Sequence, residues 1–223
     1  MNDIVIYGSG GFAREIAHLI EDINEKDPQW NLLGFIDDDV ESHGSVINEL
    51  PVLGGIEWFN DRDLTSVVMG IGSPNAKEKI ISNLRNLSNV DFPNLIHPSV
   101  KFSRFNNIGQ GNVICEGNIL TTNIVVKDFV TINLNCTIGH DTIISSYCTI
   151  LPNSSISGNV LFEEKVDFGT NATIIQGIKV GCGTIVGAAA VVVKDLPANC
   201  TAVGMPAKPI KFHEGSRNDF LNI

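Results

Sequence analysis

The stretch that decides the fold is INLNCTIGHDTIISSYCTILPNSSI, residues 132–156. Within it an isoleucine recurs at every sixth position, from Ile132 to Ile156. The same register extends in both directions without an insertion, and all seventeen positions from Ile96 to Val192 carry Ile, Leu, Val or Phe. If such residues fill about a third of a chain, chance agreement is on the order of one in a hundred million. A period of six fits neither a helix nor an alternating strand, so it indicates a structural repeat.

The repeat predicts a triangular coil in which each six-residue unit supplies one flat face and one corner. The aliphatic side chain of each unit points inward and stacks on its equivalents in neighbouring coils. The position two residues earlier is often small or β-branched, as at Asn112, Asn118, Cys136, Thr142, Cys148, Ser154, Ala172, Thr184 and Ala190. Three units make one coil, so we expect five to six coils. An antiparallel sandwich is disfavoured because its turn clusters every 8–12 residues are absent.

The residues before Ile96 follow a different pattern, in which strands alternate with helices. The segment DIVIY (residues 3–7) predicts a buried strand, and apolar spacing from Phe12 onward predicts a helix. Further strands are predicted at residues 32–36, 67–71 and 90–95. Ser73-Pro74 supplies an N-cap and a first-turn proline for a second helix. We therefore expect a small parallel α/β sheet of about four strands in residues 1–95, followed by the β-helix and a C-terminal tail in residues 96–223.

Composition narrows the classes of function. The formal net charge of −10 argues against a protein that binds the phosphates of nucleic acid. No apolar run approaches 18 residues, so we expect no membrane span, and the N-terminus does not have the pattern of a signal peptide. The five cysteines form no C-x-x-C pair and fall in apolar segments, which favours buried free thiols. These features predict a cytoplasmic protein.

A glycine-rich loop follows the first predicted strand. Gly8-x-Gly10-x-x-Ala13 fits the dinucleotide-binding fingerprint, and Asp37 ends the next strand, where a ribose partner is expected. A segment of about 95 residues is too small to grip a whole dinucleotide, so an NAD-dependent oxidoreductase is disfavoured. A half-sized site suits a mononucleotide sugar with its phosphates at the helix N-terminus. A tight strand-to-helix turn without a ligand is the alternative.

An ordered set of motifs covers nearly the whole chain. They are GSGGFAREI (residues 8–16), FIDDD (35–39), LPVLGG (50–55), IHP (96–98), Asn133 with His140-Asp141, SGNV (157–160) and VGMPAK (203–208). With these motifs the chain resembles bacterial hexapeptide-repeat sugar acetyltransferases, in the subfamily of nucleotide-aminosugar N-acetyltransferases and sialic-acid O-acetyltransferases. The resemblance implies an α/β Rossmann-like half-domain followed by an all-β left-handed parallel β-helix. The left hand rests on the resemblance alone, because parallel crossovers are right-handed in most folds.

The resemblance also implies catalytic roles for two residues. His140 would be the general base, because an imidazole can accept a proton from an amine or hydroxyl at neutral pH. Asp141 would orient the imidazole and stabilise its charged form. The alternative for His140 is a solvated surface histidine on a polar turn.

Binding residues are implied in the same way. The acetyl-CoA-binding residues would be Asn133, Gly158, Gly169, Thr170 and Ala188. The Gly158 N–H could bind the acetyl oxygen as it gains charge, or Gly158 could simply be a corner glycine with an unusual backbone angle. The nucleotide-sugar residues would be Gly8, Gly10, Gly11, Phe12, Asp37, Asp38 and Gly72. The remaining histidines, His18, His43, His97 and His213, show no metal-ligand spacing, so we expect no metal.

Two residues depart from the pattern of the family. Thr149 stands where many relatives have a second histidine, nine residues after the first, and Phe12 replaces the histidine of a Gly-Gly-His loop. The contacts that those histidines make in relatives therefore cannot be carried over to this chain.

Together these features predict a homotrimeric, acetyl-CoA-dependent N-acetyltransferase. It would transfer an acetyl group directly to the amine of a nucleotide-linked aminosugar in surface polysaccharide biosynthesis. Two alternatives stay open. One is a sugar O-acetyltransferase of the sialic-acid type, and the other is a non-catalytic nucleotide-sugar-binding scaffold, which the missing second histidine would favour. The sequence names neither the nucleotide nor the sugar.

Overall fold

The computed structural model describes residues 1–60 and 62–213. Its N-terminal elements are, in chain order, β1 Asn2–Tyr7, α1 Gly11–Lys26, β2 Trp30–Ile36, a 3₁₀ turn Val40–Ser42, β3 Val46–Ile47, β4 Leu50–Gly54, a second 3₁₀ turn Ile56–Phe59, β5 Thr65–Met69, α2 Pro74–Leu84 and β6 Val90–Asp91. The six strands form one sheet in the order β3-β4-β2-β1-β5-β6. Every pair is parallel except β3–β4.

The apolar pattern explains how these elements pack. Ile16, Ile20 and Ile23 lie on one face of α1 and are buried against the sheet. The second helix begins as predicted, with the Ser73 hydroxyl accepting a hydrogen bond from Ala76 N and Pro74 in the first turn. The α/β pattern predicted for this part of the chain is therefore confirmed.

The strand count predicted from the sequence is wrong in two places. The hairpin β3–β4 was missed because its turn is Asn48-Glu49, with φ of 46° and 68°, rather than the Asn-Gly pair that usually signals such a turn. The strand predicted at residues 90–95 stops at Asp91. Leu95 already belongs to the first coil, where its N–H donates to Asn112 O.

From Leu95 onward the chain forms seventeen two-residue strands, β7 to β23. They are Leu95–Ile96, Lys101–Phe102, Asn107–Ile108, Val113–Ile114, Ile119–Leu120, Val125–Val126, Thr131–Ile132, Thr137–Ile138, Ile143–Ile144, Thr149–Ile150, Ser155–Ile156, Leu161–Phe162, Asp167–Phe168, Thr173–Ile174, Lys179–Val180, Ile185–Val186 and Val191–Val192. Each of the first fourteen pairs in parallel with the strand eighteen residues on, as in Thr131↔Thr149, so three sheets form the sides of a prism. The predicted parallel β-helix is confirmed.

The second residue of each strand carries the six-residue repeat. From Ile114 to Val192 these side chains are at most 4% exposed and form one continuous core. The expectation that all seventeen are buried is wrong for the first coil. Phe102 is 49% exposed, and Ile96 and Ile108 are only partly buried, because no coil lies beneath them.

The corners have their own six-residue period. A residue with positive φ stands at fourteen successive corners, namely Gly111, Gly117, Asn123, Phe129, Asn135, Asp141, Tyr147, Asn153, Asn159, Lys165, Asn171, Gly177, Gly183 and Ala189. Glycine and asparagine dominate because they tolerate the left-handed region best. The residues that favour these turns therefore recur in the sequence with the same period as the apolar residues.

A hairpin, β24 Cys200–Gly204 and β25 Ala207–Phe212, extends one side of the prism beyond β22. All five cysteines are free, and four are buried as expected, whereas Cys182 is partly exposed. No helix in the described residues is long and apolar enough to cross a membrane. We retain the division into domains at residue 95 as a proposal, with residues 214–223 of the predicted tail outside the described part.

Candidate active site

His140 lies at a corner of the β-helix, as the apolar register predicts. Ile138 ends its strand with its side chain in the core, and Gly139 carries the chain outward. The His140 side chain is 52% exposed. Asp141 follows at the corner itself, with φ of 59°, so the turn aims both side chains away from the core.

The side chains of His140 and Asp141 are hydrogen-bonded to each other. His140 Nδ1 lies 2.8 Å from Asp141 Oδ2, and Asn123 Nδ2 donates to Asp141 Oδ1 at 3.2 Å. The hydrogen bond from His140 lowers the pKa of the Asp141 carboxyl, and the bond from Asn123 acts in the same direction. An ionised carboxylate only accepts, so Nδ1 carries the proton of the neutral imidazole. Nε2 therefore presents a lone pair to the surface and can accept a proton.

Gly158 lies directly above this imidazole, one coil further on. A Cβ at Gly158 would stand 2.6 Å from both Cε1 and Nε2 of His140, so only glycine leaves room for the ring. The alternative reason for this glycine, an unusual backbone angle, is wrong, because the left-handed residue of the turn is Asn159, with φ of 54°. Within the described part of the chain the N–H of buried Gly158 donates to no acceptor.

The other predicted acetyl-CoA residues lie on a different edge of the prism. We call the turns at residues 139–141, 157–159 and 175–177 the His140 edge, and those at 133–135, 151–153, 169–171 and 187–189 the Asn133 edge. Asn133 is buried, and its Oδ1 accepts from Leu134 N. Gly169 packs against the backbone of Ala188, and Thr170 O accepts from Ala189 N. One side of the prism separates this group from His140 and Gly158.

The glycine loop opens into a cavity of about 340 Å³ at the end of the N-terminal sheet. It is lined by Tyr7, Gly8, Ser9, Gly10, Gly11, Phe12, Asp37, Asp38, Gly70, Ile71 and Ile80. Gly8 has φ of 105°, and a Cβ there would meet Ile71 and Gly70, so the turn requires glycine. Gly10 is the N-cap of α1, and no side chain caps the helix, so its first N–H groups face the cavity.

Six of the seven predicted nucleotide-sugar residues line this cavity, but the carboxylates differ from the expectation. Both oxygens of Asp37 are already used, because Oδ2 accepts from the N–H and hydroxyl of Ser9 and Oδ1 accepts from Asp39 N. Asp37 thus holds the glycine loop in shape. Asp38 accepts from the Tyr7 hydroxyl through Oδ1, at 2.5 Å.

The seventh residue, Gly72, does not line the cavity. Its carbonyl accepts a hydrogen bond of 2.7 Å from the Thr149 hydroxyl. Thr149 is 1% exposed, so the residue that stands in place of a family histidine faces the N-terminal segment rather than solvent. Sequence reasoning also missed Tyr7, Ser9, Gly70, Ile71 and Ile80. Of these, Ser9 could have been found as the polar residue inside the glycine loop. In the described residues no group of His, Cys, Asp and Glu is arranged to hold a metal ion.

Both halves of the chain are similar to known sequences. Residues 3–84 match the model of the PglD N-terminal domain. A GDP-perosamine N-acetyltransferase from Escherichia coli O157:H7 is 28% identical over 95% of this chain and 97% of its own length.

Solved structures agree with these matches. PerB from Caulobacter crescentus, in complex with CoA and GDP-perosamine, superposes with a TM-score of 0.83 at 27% identity, over 94% of this chain and 97% of that one. The acetyltransferase domain of PglB from Neisseria gonorrhoeae, in complex with acetyl coenzyme A, gives 0.84 at 30% identity, over 94% of this chain and all of that one. With likeness of this extent across both halves, the chain belongs to the hexapeptide-repeat sugar acetyltransferases, in the family that includes the nucleotide-aminosugar N-acetyltransferases.

Proposed function

We propose that this protein transfers the acetyl group of acetyl-CoA to the amine of a nucleotide-linked aminosugar. The observation that carries the proposal is the His140–Asp141 pair. Among the described residues, imidazole Nε2 of this pair has no hydrogen-bond partner, and neither has the N–H of the adjacent Gly158. The relatives support the choice of acceptor, because the E. coli protein is named for the N-acetylation of GDP-perosamine and the C. crescentus structure holds that compound with CoA.

The arrangement suits direct transfer without a covalent enzyme intermediate. The acceptor nitrogen forms a bond to the thioester carbonyl carbon while His140 Nε2 takes the proton that the nitrogen loses. The carbonyl oxygen gains negative charge in the tetrahedral intermediate and is stabilised by the Gly158 N–H. When the intermediate collapses, the carbon–sulfur bond breaks and CoA leaves as the thiolate. Holding both substrates together supplies much of the acceleration.

Two chains are needed to complete this site. The acetyl-CoA residues on the Asn133 edge and the catalytic pair on the His140 edge are separated within one chain by a side of the prism. We propose a homotrimer in which the His140 edge of one chain faces the Asn133 edge of the next. Exposed apolar side chains on this side and its edges support such a contact. They are Ile119, Leu134, Ile175 and Val193, each 36–44% exposed.

The glycine-loop cavity is the proposed site for the nucleotide-linked sugar. The free N–H groups at the start of α1 suit its phosphates, because a helix N-terminus attracts anions. Asp38 is better placed than Asp37 to accept hydroxyl groups of the ligand, because Asp37 already accepts three hydrogen bonds from protein donors and Asp38 accepts one from Tyr7. We further propose a cytoplasmic role in surface polysaccharide biosynthesis, which agrees with five free thiols in one chain.

The test offers acetyl-CoA with GDP-, UDP- and dTDP-linked aminosugars, and follows both thiol release and product mass. We expect acetylation of a nucleotide-linked aminosugar, and no reaction with the matched sugar that carries a hydroxyl in place of the amine. Reaction with that hydroxyl compound or with free sialic acid would instead identify an O-acetyltransferase. Thiol release with none of the acceptors would favour the binding scaffold.

Asp141→Asn tests the contribution of the carboxylate charge. Asparagine already occupies five equivalent corners, at Asn123, Asn135, Asn153, Asn159 and Asn171, so the fold should accept the change. We expect kcat/KM to fall roughly 10²-fold, because the imidazolium formed during proton transfer loses its counter-charge. Unchanged kcat/KM in a variant with unchanged thermal stability would remove Asp141 from the mechanism.

A further inference from the structure

Lys77 makes a contact that the proposed chemistry does not use. It lies on α2, yet its side chain is 1% exposed and crosses to the β-helix. Its ammonium lies 3.1 Å from Phe129 O, 3.0 Å from Thr131 Oγ1 and 3.2 Å from Cys148 O. An ammonium has three N–H donors, and here each has an acceptor on one of two successive coils.

A second bond joins the same two parts of the chain a few residues away. Thr149 follows Cys148, and its buried hydroxyl donates to Gly72 O at 2.7 Å. The loop before α2 and the first turns of α2 are therefore both bonded to the β-helix. Hydrogen bonds to fixed carbonyl groups restrict sliding more than apolar contacts do, because they depend on direction as well as distance.

Stability alone does not account for a lysine at this position. Burial lowers the pKa of Lys77 to about 7, which reflects the cost of removing an ammonium from water. The partly buried carboxylate of Asp167 opposes that effect but makes no hydrogen bond to Lys77. A well-packed apolar side chain commonly replaces a buried charge with equal or better stability. The lysine at this contact thus indicates a requirement for geometry.

The bonded residues flank the glycine-loop cavity. Gly70 and Ile71, which line the cavity, immediately precede Gly72. Ile80, also in the lining, lies one turn after Lys77 on the same helix. The cavity wall is thereby held at both ends to the side of the β-helix that contains Thr131 and Thr149 and that ends at the Asn133 edge, which the proposed trimer brings to His140 of the neighbouring chain.

We propose that Lys77 and Thr149 are positioning residues that hold the nucleotide-sugar cavity in register with the β-helix, so that the acceptor amine reaches the catalytic imidazole. This inference rests on the proposed function. A displacement of about 1 Å can cost on the order of 10² in rate without loss of binding. The role differs from substrate contact, because neither side chain lines the cavity.

The test compares matched pairs of variants in the full-length protein. Lys77→Met removes the ammonium at nearly constant length, and Lys79→Met is its control on the exposed face of α2. Thr149→Val removes the hydroxyl at constant shape, and Thr149→Ser restores it. We expect Lys77→Met and Thr149→Val to lower kcat by roughly 10- to 100-fold. The Kd values for CoA and for the nucleotide-linked aminosugar should stay within about threefold, and the two control variants should match the wild type.

Three results would overturn the proposal. The first is unchanged kcat in both test variants, and the second is an equal loss in Thr149→Ser. The third is a parallel loss of kcat, ligand binding and thermal stability, which would indicate a structural role alone. Hydrogen exchange of α2 separates this proposal from the proposed function. If the wild type turns over no acceptor, the proposed function fails. If hydrogen exchange of α2 is no faster in Lys77→Met than in Lys79→Met, the positioning role of Lys77 fails as well.

Discussion

Replacing His140 with alanine is expected to lower kcat/KM by about 10²- to 10⁴-fold, the contribution of a positioned general base. The loss arises because the variant lacks the imidazole that takes the proton from the attacking amine. The fold should be unaffected, because the His140 side chain is 52% exposed and, among the residues that the structure describes, its ring is hydrogen-bonded only to its neighbour Asp141. Steady-state kinetics with a thermal-unfolding control measures both effects.

His18→Ala is the matched control for this prediction. His18 is also a surface histidine beside a carboxylate, with Nδ1 3.3 Å from Glu21 Oε2, but it lies on α1 outside the cavity. The pH–rate profile adds a second check, because protonation of the base should cause the acid limb of the wild-type profile, and that limb should disappear in His140→Ala. If His140→Ala retained more than about a third of wild-type activity, the assignment of His140 as the base would fail.

Gly158→Ala is expected to lower kcat/KM by roughly 10²-fold while leaving the protein folded. The added Cβ would lie 2.6 Å from Cε1 and Nε2 of His140, so the ring must turn away from its bond to Asp141. The ring is half exposed and can move, so we expect only a small change in thermal stability. Alanine keeps the backbone N–H, so the loss would report displacement of the imidazole rather than removal of the oxyanion donor.

A double-mutant cycle tests that explanation directly. If Gly158→Ala acts through the imidazole, it should change kcat/KM by less than about threefold in the His140→Ala background. A full, additive loss would show that Gly158 contributes independently of the ring. Gly139→Ala provides a contrast, because its Cβ would meet the Gly158 backbone N at 2.5 Å and should therefore reduce stability.

The β-helix and the position of His140 within it could be predicted from the sequence alone. A repeat of six needs no long-range information, because each unit repeats the same inward residue and the same left-handed corner. Once Ile138 is known to face inward, His140 must stand near the next corner. The glycine loop could also be predicted from local sequence, because a strand, a turn and a helix follow one another directly there.

Contacts between distant residues were decided only in the folded chain. The sequence could place Asp37 at the end of β2, but it could not show the two hydrogen bonds that Asp37 accepts from Ser9, which lies 28 residues away. The same holds for Gly158 above His140, and for Thr149, whose bond to Gly72 depends on how the sheet packs on the β-helix.

Lys77 shows the limit most clearly. On an amphipathic helix a lysine is ordinarily placed in solvent, because an exposed ammonium costs nothing to hydrate. Only the tertiary structure brings three oxygen acceptors from residues 129–148 to its ammonium and makes burial possible. The sequence by itself therefore determined the repeat, the corner and the residue most suited to act as a base. The packing of one segment on the other decided which of the remaining polar groups bind ligand and which bind the protein itself.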